Sequence, residues 1–110
     1  MDDVEELCSR LIRLDTTNYG GGESAGEREA GELVAAVLAS AGIESRILER
    51  TVRRSNVIAR VPGTDSALPP LLVQGHLDVV PADPAQWSRD PFSGEISDGY
   101  VWGRGATDMK

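Results

Sequence analysis

The sequence holds one cysteine, one histidine and few aromatics, with two Trp, two Tyr and one Phe among 110 residues. A single cysteine excludes an internal disulfide. Cys8 sits at an apolar helical position and reads as a small core residue rather than a reactive thiol. No apolar run approaches the roughly 20 residues of a membrane-spanning helix. Basic residues are outnumbered, 11 against 18 acidic ones, for a net charge of −7 and a pI near 4.6. That balance argues against nucleic acid and anionic membranes as partners, since both need a basic patch. The first six residues, Met1 to Glu6, are acidic and contain no hydrophobic signal core, so a cytoplasmic location is expected. The length fits one small domain or part of a larger one, and 40% hydrophobic residues suffice for a core.

The apolar pattern is helical first and extended later. Val4, Leu7, Cys8, Leu11 and Leu14 recur at helical spacing, with Glu5 and Glu6 loading the first turn as the helix dipole favours. Residues 15–22 read as a loop ending in three glycines. Ser24-Ala25-Gly26-Glu27 predicts a capping box. Behind it Ala30, Leu33, Val34, Val37, Leu38 and Ala41 form an amphipathic stripe closed by Gly42. Residues 43–51 predict a strand, and Asn56 to Val61 alternates with Val57, Ala59 and Val61 on one face. Residues 62–66 form a turn. Leu71-Leu72-Val73-Gln74-Gly75 predicts a strand buried on both faces, with His76 at its C-terminal end. Residues 83–98 read as irregular, and Tyr100-Val101-Trp102 as a short strand ended by Gly103-Arg104-Gly105.

Two short motifs carry the chemistry. In Gly75-His76-Leu77-Asp78, residues i and i+2 of an extended segment point to the same side. His76 and Asp78 then either both ligate a metal, or one ligates while the other positions a neighbour. The second motif, Gly103-Arg104-Gly105-Ala106-Thr107-Asp108, presents a carboxylate from a glycine-rich stretch that permits close backbone approach. Imidazole and carboxylate suit zinc or a similar divalent ion. A carboxylate in that position binds one ion or bridges two. Each motif alone is weak, because a lone histidine is usually structural and an Asp in a Gly-rich turn is usually a turn residue. Trp87, Phe92 and Trp102 are expected to pack the core or wall a cleft. Arg104 is expected in a salt bridge or turn contact rather than on a substrate.

Taken together, Gly75 to Pro81, Trp87, Asp90 to Gly94 and Asp98 to Lys110 closely resemble the M20 metallopeptidase family of carboxypeptidases, aminoacylases, acetylornithine deacetylase and succinyl-diaminopimelate desuccinylase. The resemblance extends upstream to Asp15-Thr16-Thr17-Asn18 and Asn56-Val57-Ile58-Ala59. It implies that His76 is a ligand of one zinc, that the catalytic-site carboxylate Asp78 orients His76, and that Asp108 bridges two zinc ions, with Co2+ or Mn2+ as substitutes. It also implies a cis peptide bond after Asp108. As fold, it implies an α/β chain: residues 1–110 as the N-terminal part of a three-layer α/β/α aminopeptidase-like catalytic domain with a mixed sheet, lacking the lid or dimerisation domain. The family's general-base glutamate and remaining ligands match no position here.

Two classes of function follow. The first is a metal-dependent amidohydrolase acting on a small peptide or N-acyl amino acid through a water bridged by two zinc ions, with the full-length protein a homodimer. The second is a non-catalytic truncated fragment or a single-metal binding module. The 110 residues alone are expected to be inactive, and uncovered sheet edges are expected to leave them marginally folded or aggregation-prone.

Overall fold

The computed structural model describes residues 3–110. In chain order it contains helix α1 (Val4–Ile12), strands β1 (Asn18–Gly20) and β2 (Glu23–Ser24), helix α2 (Arg28–Ser40), strands β3 (Ser45–Thr51) and β4 (Arg54–Ala59), a short 3-10 turn (Pro84–Gln86), and strands β5 (Glu95–Ser97) and β6 (Tyr100–Trp102). The strands pair as three separate antiparallel hairpins, β1–β2, β3–β4 and β5–β6. Among the described residues, the one pairing outside them is a parallel bridge between Thr17 and Val79. Helix and strand are thus mixed as expected of an α/β chain. No helix among the described residues is long and apolar enough to cross a membrane.

Helix α1 carries Glu5 and Glu6 at its start and Arg10 in its last turn, the charge order that complements the helix dipole. Its buried face is Ser9, Leu11 and Ile12, whereas Val4, placed in the apolar stripe by spacing, is 76% exposed. The stripe is displaced because α1 packs on the β5–β6 hairpin through Ser9, whose hydroxyl donates to the Gly94 carbonyl at 2.5 Å. Helix α2 packs on the β3–β4 hairpin and buries Ala30 and Gly31. Gly31 lies against Val57 and Ser55, leaving little room for any side chain.

Three expectations are corrected. The capping box does not form: α2 starts at Arg28, not beside Ser24. Ser24 Oγ instead accepts from Gly26 N, and Glu27 N donates to the Arg53 carbonyl at 2.7 Å. Gly26, at φ +88°, turns the chain away from helix to make that contact. The segment Leu71 to Gly75 is not a buried strand. Leu71, Leu72 and Val73 are 88%, 87% and 81% exposed, because no described segment runs beside them to form a ladder. Finally, the irregular stretch contains β5, joined to β6 through Asp98-Gly99, both at positive φ. Asp-Gly, here between Ile96-Ser97 and Tyr100-Val101, is a two-residue hairpin signal that apolar spacing alone does not capture.

The core is thin. Leu11, Ile12, Ala30 and Val79 are its buried hydrophobic residues, supplemented by buried Thr16 and Thr17. Ala30 belongs to α2, whereas Leu11, Ile12, Thr16, Thr17 and Val79 belong to the end of α1, the loop after it and the segment following His76, so contacts that hold the fold also position the site.

Candidate metal centre

The loop after α1 is shaped by Asp15, whose Oδ1 accepts from the backbone N and the hydroxyl of Thr17 at 2.9 and 2.5 Å, the self-turn that aspartate favours. This shape aims the next residues at the segment behind His76. Thr16 Oγ1 donates to the Leu77 carbonyl at 2.6 Å. Val79 N donates to the Thr16 carbonyl, and Asn18 N donates to the Val79 carbonyl at 2.8 Å. Leu77 to Val79 is therefore held along one edge by residues 16–18, with Val79 only 3% exposed.

Asp78 receives the Asn18 side-chain amide on Oδ2 at 3.0 Å. That donation, then His76 and the Arg54 charge, holds the Asp78 carboxyl below its ordinary value. His76 Nδ1 lies 3.1 Å from both the Asp78 carbonyl oxygen and Asp78 Oδ1. With two acceptors there, Nδ1 carries a proton and donates. His76 Nε2 lies 3.0 Å from Asp108 Oδ1. The Asp78 carbonyl first, and the Asp108 and Asp78 carboxylates after it, hold the imidazole pKa above its ordinary value.

Asp108 is brought there by the glycine-rich turn. Gly103 (φ +146°) and Gly105 (φ +98°) adopt conformations closed to other side chains. A Cβ on Gly103 would collide with Ile12 of α1. Arg104 N donates to the Pro91 carbonyl at 2.7 Å, and Lys110 N to the Gly105 carbonyl at 2.8 Å. The Lys110 ammonium then reaches across to the Leu11 and Leu14 carbonyls at 2.8 and 2.6 Å, where the end of a helix attracts a cation. Burial lowers its pKa to about 8. The peptide bond after Asp108 is trans, as are all others described. This departs from the implied cis bond, trans being what an unconstrained non-proline bond adopts.

The donor set fits a metal in one respect. With Nδ1 protonated, a neutral imidazole points its Nε2 lone pair at a carboxylate oxygen, which is repulsive unless a proton or a cation lies between them. Two ligands bonded to tetrahedral zinc at about 2.0–2.1 Å stand roughly 3.3 Å apart, close to the 3.0 Å observed. Asp78 lies on the opposite ring nitrogen and cannot share that ion. Among the described residues no group of three or more His, Cys, Asp or Glu side chains surrounds a common point, so these residues supply two donors where a structural zinc site has four.

The imidazole also faces a cleft of about 520 Å³ whose wall includes Glu27, Arg54, Asn56 and Asp78. The aromatics stand elsewhere. Trp102 lies under the Arg89 guanidinium at 4.1 Å, and Trp87 under Arg104 at 5.1 Å. Arg104 also donates to the Pro81 carbonyl, 23 residues away in the chain, so its contact is long-range rather than the salt bridge or turn contact expected of it. Spacing did not single out Asn18, Thr16 or Lys110, although Asp15-Thr16-Thr17-Asn18 lay within the family resemblance. A short polar run after an amphipathic helix was the available signal.

Comparison with known proteins places the sequence in a family. The profile of peptidase family M20/M25/M40 matches residues 72–110, the stretch containing His76, Asp78 and Asp108. The chain is 37% identical over 107 residues to an N-fatty-acyl-amino acid synthase/hydrolase PM20D1 of Xenopus tropicalis, covering 96% of this chain and 21% of that protein. It is 48% identical over 79 residues to a succinyl-diaminopimelate desuccinylase of Cereibacter sphaeroides, covering 71% and 20%. A desuccinylase of Paracoccus denitrificans is 42% identical over 111 residues, covering 98% and 26%. The chain thus spans about a fifth to a quarter of the length of these relatives, and it belongs to peptidase family M20/M25/M40.

Proposed function

We propose that these residues form part of a metal-dependent hydrolase site that cleaves an amide bond in a small peptide or N-acyl amino acid. The observation that carries this reading is the opposed pair His76 Nε2 and Asp108 Oδ1 at 3.0 Å, with the other ring nitrogen already committed to Asp78. The names of the relatives, a hydrolase of N-fatty-acyl amino acids and desuccinylases, support the same substrate class.

In this reading His76 and Asp108 would hold zinc, or Co2+ or Mn2+ in its place, and Asp108 would be the carboxylate shared with a second ion. Bound there, the ions would polarise the scissile carbonyl and lower the pKa of water. The work of this chain's own residues is orientation. Asp78 fixes the proton on Nδ1 and directs the Nε2 lone pair outward, and Asn18 fixes Asp78. The remaining ligands and a general base come from outside these 110 residues, which form the N-terminal part of a catalytic domain and are inactive by themselves. A cytoplasmic homodimer is the accompanying expectation for the whole protein.

The test is metal content and N-acyl-amino-acid hydrolysis by the product of the full open reading frame, with and without D108A. Two ions falling to one or none, with loss of hydrolysis, is the expected result. A single ion unchanged by D108A overturns bridging and leaves a one-metal binding module. Full hydrolysis by D108A overturns the site.

A further inference from the structure

The cleft beside His76 contains a cation that the proposed metal chemistry does not use. Arg54 and Asn56 are i and i+2 on β4, so they share one face of the strand. The intervening Ser55 is buried near Gly31 of α2 and also borders the cleft. Both Arg54 and Asn56 line the same cleft as His76 and Asp78.

Arg54 is held in an unusual way. Its Nε donates to Glu27 Oε2 at 2.9 Å, and the Glu27 side chain is only 6% exposed against 37% for Arg54. The other Glu27 oxygen, Oε1, is buried without a hydrogen-bond partner. The pair is therefore not the closed two-bond fork that arginine and carboxylate usually make. Glu27 grips the guanidinium by its inner edge, and the described residues give Nη1 and Nη2 no hydrogen-bond partner. Letting go would strand a buried carboxylate, so Arg54 is fixed in place. Asp78, the other carboxylate of the cleft, is already engaged by Asn18 and His76. What remains is a planar, partly exposed guanidinium end with two amino groups free, flanked by an amide side chain. That matches the two oxygens of a carboxylate.

We propose that Arg54, positioned by Glu27 and assisted by Asn56, binds a ligand carboxylate in the cleft next to His76. Resting on the hydrolase reading above, this assigns the free carboxylate of an N-acyl amino acid to β4. The alternative role for the pair is a clamp tying β4 to the start of α2, with no ligand.

The test uses the product of the full open reading frame, stripped of metal and labelled for NMR, titrated with N-acetylglycine and separately with N-acetylglycinamide. The expected result is saturable movement of the Arg54 Nε–H and Asn56 side-chain signals by the acid, at least tenfold weaker with the amide. R54K keeps the charge but not the fork and should weaken the acid at least fivefold. R54Q should abolish the response. Equal responses to acid and amide, or an acid response that R54Q retains, overturns the proposal, and so does an absence of movement in the unmodified chain. If R54Q loses the dispersed spectrum, the acid–amide comparison on the unmodified chain decides. Zinc titration followed at His76 in the same sample separates the two readings. A His76 response to zinc with no acid response at Arg54 removes the subsite and leaves the hydrolase reading standing.

Discussion

Replacing Gly103 by alanine tests whether the Asp108 turn is seated as tightly on α1 as the structure shows. Gly103 sits at φ +146°, and its missing Cβ would meet Ile12 Cγ2 and, at 2.9 Å, the Pro91 carbonyl oxygen. Neither neighbour can retreat cheaply: Ile12 is completely buried, and the Pro91 carbonyl accepts from Arg104 N at 2.7 Å. Gly99 is the internal control, since its φ is also positive (+79°) but nothing lies within 4 Å of its missing Cβ. Backbone strain should cost about 1–3 kcal/mol in either variant. G103A should cost about 1–3 kcal/mol more through overpacking. Against a typical stability of about 5–15 kcal/mol and a core this thin, the combined loss would unfold much of the chain. Urea unfolding followed by tryptophan fluorescence reads the difference, with Trp102 adjacent to the substitution. Equal costs for G103A and G99A would refute the close packing of the turn on α1, and with it the reason Asp108 reaches His76.

His76 is the sole histidine, so one imidazole titrates in the NMR spectrum. D108N should lower its midpoint, because the Asp108 carboxylate contributes to raising it. The sign for stability follows: with the folded pKa above the ordinary 6.5, the stabilisation is fully present below about pH 6.5 and is lost as pH rises through the folded pKa. D108N should shrink that acid-side gain, and an unchanged midpoint would show that the two side chains do not meet in solution. N18A removes no proposed ligand yet should weaken zinc binding by about tenfold through loss of Asp78 orientation. Calorimetry showing equal zinc affinity would leave Asn18 a purely structural residue. The exposed run Leu71, Leu72 and Val73 should make the chain bind a hydrophobic dye and self-associate, and L72K should reduce both. A monodisperse monomer that binds no dye would overturn that expectation.

What the sequence made legible was short-range. His76, Asp78 and Asp108 could be named as candidates because short consecutive blocks around them together resemble one family, each block being weak alone. Both helices were legible from apolar recurrence, although α1 turned its buried face to Ser9 and Ile12. That choice was made by Gly94, a partner 85 residues away in the chain. The capping box failed for the same reason: the groups that Gly26 and Glu27 meet belong to Arg53, on a distant hairpin. Leu71 to Gly75 read as a buried strand from composition, but a strand exists only through a neighbour, and composition does not say whether one is there. The contact of Asn18 with Asp78 was invisible because it is one hydrogen bond between residues 60 apart in the chain.

The two halves of the candidate centre share one foundation. The His76 side is fixed by Thr16 and Asn18, which follow directly from α1. The Asp108 side is fixed by Gly103 against Ile12 and by Lys110 on the Leu11 and Leu14 carbonyls. Both therefore refer to the last turn of a single nine-residue helix, while neither imidazole nor carboxylate is itself buried. The 3.0 Å approach of Nε2 to Oδ1 is thus set by backbone anchoring rather than by packing around the two side chains. In the proposed metal site, a cation between them would need little further ordering of the chain, the condition under which two donors from separate segments would act as one binding unit.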